Sequence, residues 1–152
     1  MIYYFDMEIS TLQGEQIFLR RLSENDATQD YVDWMNDPEI NQYLESRFYT
    51  QTIDSTKAFI NSVTNDNNYQ FGIFEKETGK HIGNIKVGSI NHFHKYADVG
   101  FLIGDKSYWG RGIATEAIKL ITEFAFKTLG LHKVIGGAYA PNKGSIKAFL
   151  KN

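Results

Sequence analysis

Ser107–Ala117 reads S-Y-W-G-R-G-I-A-T-E-A, and its reading decides the fold. The apolar run Val99-Gly100-Phe101-Leu102-Ile103-Gly104 comes before it, and an amphipathic pattern beginning at Ile113 comes after it. The local order is therefore strand, glycine turn, helix. Gly110 and Gly112 flank Arg111, and without side chains that backbone can bend sharply and approach another molecule closely. The first N–H groups of the following helix have no partner inside it, so together with the helix dipole they form an anion site. Arg111 would add a positive charge beside that site. The string is not a P-loop, which needs G-x-x-x-x-G-K-[ST]. Nor is it the dinucleotide fingerprint G-x-G-x-x-G, whose third glycine falls on Thr115. Taken alone, Gly110-Arg111-Gly112 is also an ordinary helix start.

Outward from this turn the chain reads as alternating elements. Glu15–Leu22 carries Ile17, Leu19 and Arg21 on one face and predicts a first strand. Ser23 and Asp26 form an acidic capping box that opens a helix, with Ala27, Tyr31, Trp34 and Met35 at helical spacing. Pro38 suits the first turn of a second short helix. Thr52 starts a third, whose apolar side reads as Ala58, Phe59, Ile60 and Val63. Tyr69–Glu75, His81–Ile90 and Tyr96–Ile103 are strands, the first two joined by a hairpin turn at Glu77–Lys80. Ile113–Leu129 is the central helix, with a wide stripe of Ile113, Ala117, Leu120, Ile121, Phe124 and Ala125, stopped by Gly130. His132–Tyr139 is a further strand, and Pro141-Asn142 turns into a last helix. Adjacent strands followed by a helical crossover predict a mixed sheet with helices packed on it.

The chain has 152 residues and a formal net charge of −2, which suits one domain and no nucleic-acid surface. It has no cysteine, hence no disulfide, thiolate metal site or cysteine nucleophile. No apolar run reaches membrane-span length, and the start, M-I-Y-Y-F-D, lacks the basic region of a signal peptide, so a cytoplasmic location is expected.

W-G-R-G-I-A-T-E-A after an apolar strand resembles the acyl-CoA pyrophosphate loop of the GNAT superfamily of N-acetyltransferases. The family pattern [RQ]-x-x-G-x-[GA] falls on Trp109, Gly110, Arg111, Gly112, Ile113 and Ala114, with Trp where the family has Arg or Gln. That departure resembles the branch with ribosomal-protein N-terminal and bacterial amino-sugar acetyltransferases. The resemblance runs from about Ile17 to the C-terminus. It implies an α/β (α+β) fold: one domain over residues 1–152 with a mixed, mainly antiparallel central sheet and helices on both faces. It also implies acetyl-CoA as cosubstrate, with its phosphates on Trp109–Thr115, and no metal. The family's last helix leads to a G-[FY] turn and two more strands, whereas this sequence ends F-L-K-N. The resemblance thus implies a C-terminally truncated chain lacking those strands, with an open sheet edge. A homodimer is left open.

The resemblance also implies site residues. The strands at Phe101–Ile103 and Tyr139–Ala140 splay, so that the backbone of Phe101, Leu102 and Ile103 can bind the pantetheine arm and polarise the thioester; as side chains these three equally suit a buried strand. Asp98 stands where family members often carry a basic Glu acting through water. Burial would raise its pKa and improve it as a base, although a solvated rim position is the alternative. In the family motif N-x-x-S-x-x-x-Y, Asn142 and Ser145 match, but the tyrosine slot is Phe149, which cannot protonate the departing thiolate. Tyr139 is a weak substitute. Asn142 resembles the pantetheine-binding residue and equally suits a helix N-cap. His81, His92 and His94 lack acidic partners at metal-ligand spacing, and a solvated loop is the reading of the last two. Tyr43, Glu45, Arg47 and Phe48 would line the acceptor pocket, unless they are ordinary aromatic packing and surface charge. The activity implied is direct acetyl transfer to a small-molecule primary amine, with a nucleotide-linked amino sugar preferred. A protein N-terminus or polyamine is the alternative acceptor, and a non-catalytic acyl-CoA-binding module the rival from another class.

Overall fold

The computed structural model describes residues 11–152. The N-terminal hexapeptide read above lies outside them. The strands are β1 (Leu12–Gln13), β2 (Ile17–Arg21), β3 (Asn68–Glu75), β4 (His81–Gly88), β5 (Tyr96–Ile103) and β6 (Lys133–Gly136). They form one sheet in the order β1-β2-β3-β4-β5-β6. Each neighbouring pair is antiparallel except β5–β6, which is parallel. The helices are α1 (Gln29–Asn36), α2 (Pro38–Asn41), α3 (Ile53–Ser62), α4 (Ile113–Lys127) and α5 (Lys143–Leu150). This is the mixed, mainly antiparallel sheet that the sequence led us to expect.

Strand alternation distributes the core over both faces. On one face Ile17, Leu19, Phe71, Ile73, Ile85 and Val87 pack under α4, which brings Ile113, Ala117, Ile121, Phe124 and Ala125. On the other, Leu22, Phe74 and half-buried Leu102 meet Tyr31, Trp34, Ile40 and Ile60 from α1, α2 and α3. His81 enters this second cluster, stacked on Phe74 and edge-on to Tyr31 and Trp34.

Local signals explain most boundaries. Ser23 and Asp26 form the capping box, and Arg20 pairs with Asp26 at 2.8 Å. Pro38 occupies the first turn of α2 behind Asp37, which caps Glu39 N–H. Gly130, at φ 66°, ends the segment after α4.

Three elements differ from the sequence reading. The capping box opens only a short 3₁₀ turn, and α1 restarts behind Thr28, whose hydroxyl accepts from Tyr31 N–H. The buried positions of α3 are Thr56 and Ile60, while Ala58 and Phe59 are exposed. Tertiary packing of α3 against the 3₁₀ turn, to whose Glu24 the Asn61 amide donates at 3.1 Å, chose a different face from the one hydrophobicity alone selects. The last strand stops at Gly136 rather than Tyr139, because its partner β5 pairs with it only as far as Val99. No helix among the described residues is long and apolar enough to cross a membrane.

Candidate active site

Two features meet at the C-terminal end of β5. The first is the glycine turn. Gly110 and Gly112 have φ of 73° and 77°, the left-handed region that glycine adopts without penalty, and open space lies before each. Gly112 is the N-cap of the 15-residue α4, and no side chain caps that helix. Its first backbone acceptance is Glu116 N–H by Gly112 C=O, so the N–H groups before Glu116 face outward as anion donors. The Glu116 carboxylate, which would weaken an anion site, turns away and accepts the Glu15 and Gln16 N–H groups. Arg111 lies over the Tyr108 ring at 4.7 Å, and the Tyr108 hydroxyl donates to Glu75 at 2.7 Å. Trp109, in the place of the family's Arg or Gln, donates its indole N–H to the Ile103 carbonyl at 2.9 Å. It ties the turn to the end of β5.

The second feature is the gap between β5 and β6. Pairing ends at Val99–Gly136, and the chain beyond Gly136 leaves the sheet. Gly104 N–H donates to Ile82 on β4. Alternation then aims the backbone of Leu102 at β4 and that of Phe101 and Ile103 into the gap. This corrects the expectation that all three backbones are available. Phe101 N–H and C=O and Ile103 N–H face the gap, Ile103 C=O is taken by Trp109, and Leu102 contributes its side chain.

A cavity of about 500 Å³ opens along the gap. Its floor is the sheet face bearing Gln70, Asn84, Lys86, Gly100 and Leu102. Tyr31, Met35, Tyr43 and Phe59 form one wall, and Tyr139, Asn142, Ser145 and Phe149 the other. Asn142 caps α5 by accepting Ser145 N–H through Oδ1, so its Nδ2 remains a donor on the cavity side. Phe149 meets Phe101 edge-on and supplies no proton. The Tyr139 hydroxyl donates to Glu45 at 2.7 Å, and this hydrogen bond to a carboxylate raises its pKa. Tyr139 is therefore a poor acid for the thiolate.

The predicted acceptor residues separate. Tyr43 lines the cavity and stacks on Tyr139. Glu45 sits at its mouth through the Tyr139 contact. Arg47 and Phe48 lie outside the lining: Arg47 stacks on Phe48 and donates to the Leu44 carbonyl, and Phe48 is 67% exposed. Their proximity in sequence to Tyr43 does not bring them inward, because the segment Glu45–Phe48 coils as a 3₁₀ turn. Asp98 is exposed on β5 and outside the cavity lining, so the expected burial does not occur. It shares the sheet face of Gly100 and Leu102, about 7 Å along the strand from Gly100. His92 and His94 are exposed, with His92 against Asn67, whereas His81 is in the core.

Gln70, Asn84 and Lys86 were missed in the sequence. Their signal was present: Asn68 and Gln70 alternate with Tyr69, Phe71 and Ile73 in one strand, and Asn84 and Lys86 alternate with Ile85 and Val87 in the next.

The acetyltransferase (GNAT) domain profile matches residues 16–152. The chain belongs to the GNAT acetyltransferase family. An uncharacterized N-acetyltransferase, p20 of Bacillus licheniformis, is 28% identical over 142 residues, covering 91% of this chain and 79% of its own. The crystal structure of spermidine N-acetyltransferase from Vibrio cholerae with CoA and spermine is similar at a TM-score of 0.79 and 21% identity, covering 91% of this chain and 80% of that one. Ribosomal-protein-S5-alanine acetyltransferase from Vibrio fischeri gives 0.76 and 21%, covering 93% and 80%. These two likenesses concern the fold. As a GNAT acetyltransferase the chain is an acetyl-CoA-dependent enzyme, and the open β5 edge beside an uncapped helix start fits that cosubstrate.

Proposed function

We propose that this GNAT enzyme transfers acetyl directly from acetyl-CoA to a small primary amine, with a nucleotide-linked amino sugar as acceptor. The observation that supports it is the β5–β6 gap, continuous with a cavity whose floor is polar. The pantetheine arm lies along the gap, on Phe101 and Ile103 backbone groups and Asn142 Nδ2, and the pyrophosphate meets the α4 start at Gly110–Thr115. Phe101 N–H, aimed into the gap, hydrogen-bonds the thioester oxygen as charge develops there. The amine nitrogen forms a bond to the acetyl carbon as the carbon–sulfur bond breaks. The amine proton passes through water to Asp98 at the cavity edge, and the thiolate leaves unassisted by Phe149, taking its proton from solvent.

Isothermal titration with acetyl-CoA tests the cosubstrate site. Wild type binds, and Gly112→Asp, which puts a charged side chain at φ 77° before the helix start, does not. Asp98→Asn then tests the proton route. It lowers kcat roughly 10–100-fold at neutral pH, with the loss shrinking as rising pH deprotonates the amine itself. An unchanged kcat and pH profile would remove Asp98 from the mechanism.

A further inference from the structure

Two polar side chains on the cavity floor lack partners. Gln70 is 8% exposed, and its Oε1 is buried without a hydrogen bond. A buried orphan of this kind is costly, and native proteins rarely keep one unless a ligand or water completes it. The last torsion of a glutamine is broad and two-fold, so a small turn offers Oε1 to the cavity the residue lines. Directly opposite in the β3–β4 register stands Lys86. Among the described residues that line the cavity, Lys86 is the single charged one. It makes no ion pair among the described residues. Its stem lies over Gly100, where a Cβ would stand 3.5 Å from Lys86 Cε, which brings the ammonium beside the open part of β5. Asp98, on the same sheet face and diagonal to Lys86 through the Lys86–Gly100 pairing, forms no ion pair with it, and Glu45 at the mouth is engaged by Tyr139.

We infer that the acceptor carries an anionic group, a carboxylate or a phosphate, beside its primary amine. Lys86 holds the anionic group, and Gln70 Oε1 accepts from the amine N–H. This rests on the amine-acetylating reading above. The lining has no carboxylate to neutralise the further charges of a polyamine, and a lone cation repels one. Once the acceptor's own anion neutralises Lys86, the charge in the cavity balances.

Matched acceptors test the inference: glucosamine against glucosamine 6-phosphate, and tyramine against tyrosine, with spermidine as the cationic control. The purified chain is saturated with acetyl-CoA and release of the CoA thiol is followed. The anionic member of a transferred pair has the higher kcat/KM by about tenfold, the size of one charge-assisted hydrogen bond. Lys86→Met erases that difference through KM, and Lys86→Glu reverses it in favour of spermidine. Gln70→Met lowers kcat/KM for both members of a pair, leaves acetyl-CoA affinity unchanged, and raises the Tm of the free protein because the orphan is gone. Equal use of both members by wild type, a preference that survives Lys86→Met, or an equal loss on every acceptor in Lys86→Met would overturn the inference while the acetyltransferase reading stands. The last of these would place Lys86 at the thioester instead. Acetyl-CoA binding with no transfer to any amine would overturn the reading and this inference together.

Discussion

A half-buried histidine, packed among Phe74, Tyr31 and Trp34, shows how far one residue's surroundings can set a property of the whole chain. Burial pushes the His81 imidazole below its ordinary 6.5, and this outweighs the hydrogen bond that its Nε2–H donates to Asn84 Oδ1 and the field of Asp26, with Arg20 acting in the same direction as burial. The unfolded chain then binds the proton more readily than the folded one. Stability is therefore complete above about pH 6.5 and falls as pH drops below it. Tm measured between pH 8 and 5 should decline over the lower part of that range, and His81→Gln should flatten the decline. Asp26 acts in a separate window. Burial alone would raise its carboxyl, but the Arg20 guanidinium and Ser23 N–H together hold it below 3.8, so its contribution is lost only in stronger acid. The histidine was visible in the sequence, yet its placement was not. Nothing local distinguishes a strand-opening His on a solvated edge from one stacked on Phe74.

At the scale of elements, α5 joins structure to binding through Asn142. Its Oδ1 caps the helix, and the residue lines the cavity with Nδ2 making no hydrogen bond among the described residues. The sequence left both roles open, and the geometry allows both at once. Asn142→Ala should lose the cap, about 1 kcal/mol, and lower Tm by roughly 2–4 °C. Asn142→Asp keeps a capping oxygen but removes the amide donor, so Tm should hold while acetyl-CoA affinity in calorimetry falls about tenfold. A parallel fall in Tm and affinity in both variants would reduce Asn142 to a cap. Caps, turns and the stripe of α4 were readable because each depends on residues within a few positions of one another. The inward face of α3 was not, since Phe59 and Ile60 are equally apolar and only the surface they pack on selects between them.

For the molecule as a whole, the gap between β5 and β6 leaves two packed layers joined by a partly open sheet. A cosubstrate that bridges the gap binds the folded chain alone and must stabilise it. At a hundredfold excess over its Kd, acetyl-CoA should add about 2.7 kcal/mol, a Tm rise of roughly 5–11 °C. Gly112→Asp should show no such shift. A wild-type Tm indifferent to acetyl-CoA would mean that the gap is not where the cosubstrate lies.

The sequence by itself determined the strand–glycine turn–helix unit at Val99–Lys127, the helix starts at Pro38, Thr52 and Asn142, and the mixed sheet. Each follows from short-range steric rules, capping chemistry or periodicity. Tertiary structure alone decided which side chains share the cavity. Strand register carries that choice, since a slip by one residue would exchange every face. Through it Gln70 and Lys86 come opposite each other beside Gly100 and Asp98 stays at the surface, while the coiling of Glu45–Phe48 into a 3₁₀ turn leaves Arg47 and Phe48 outside.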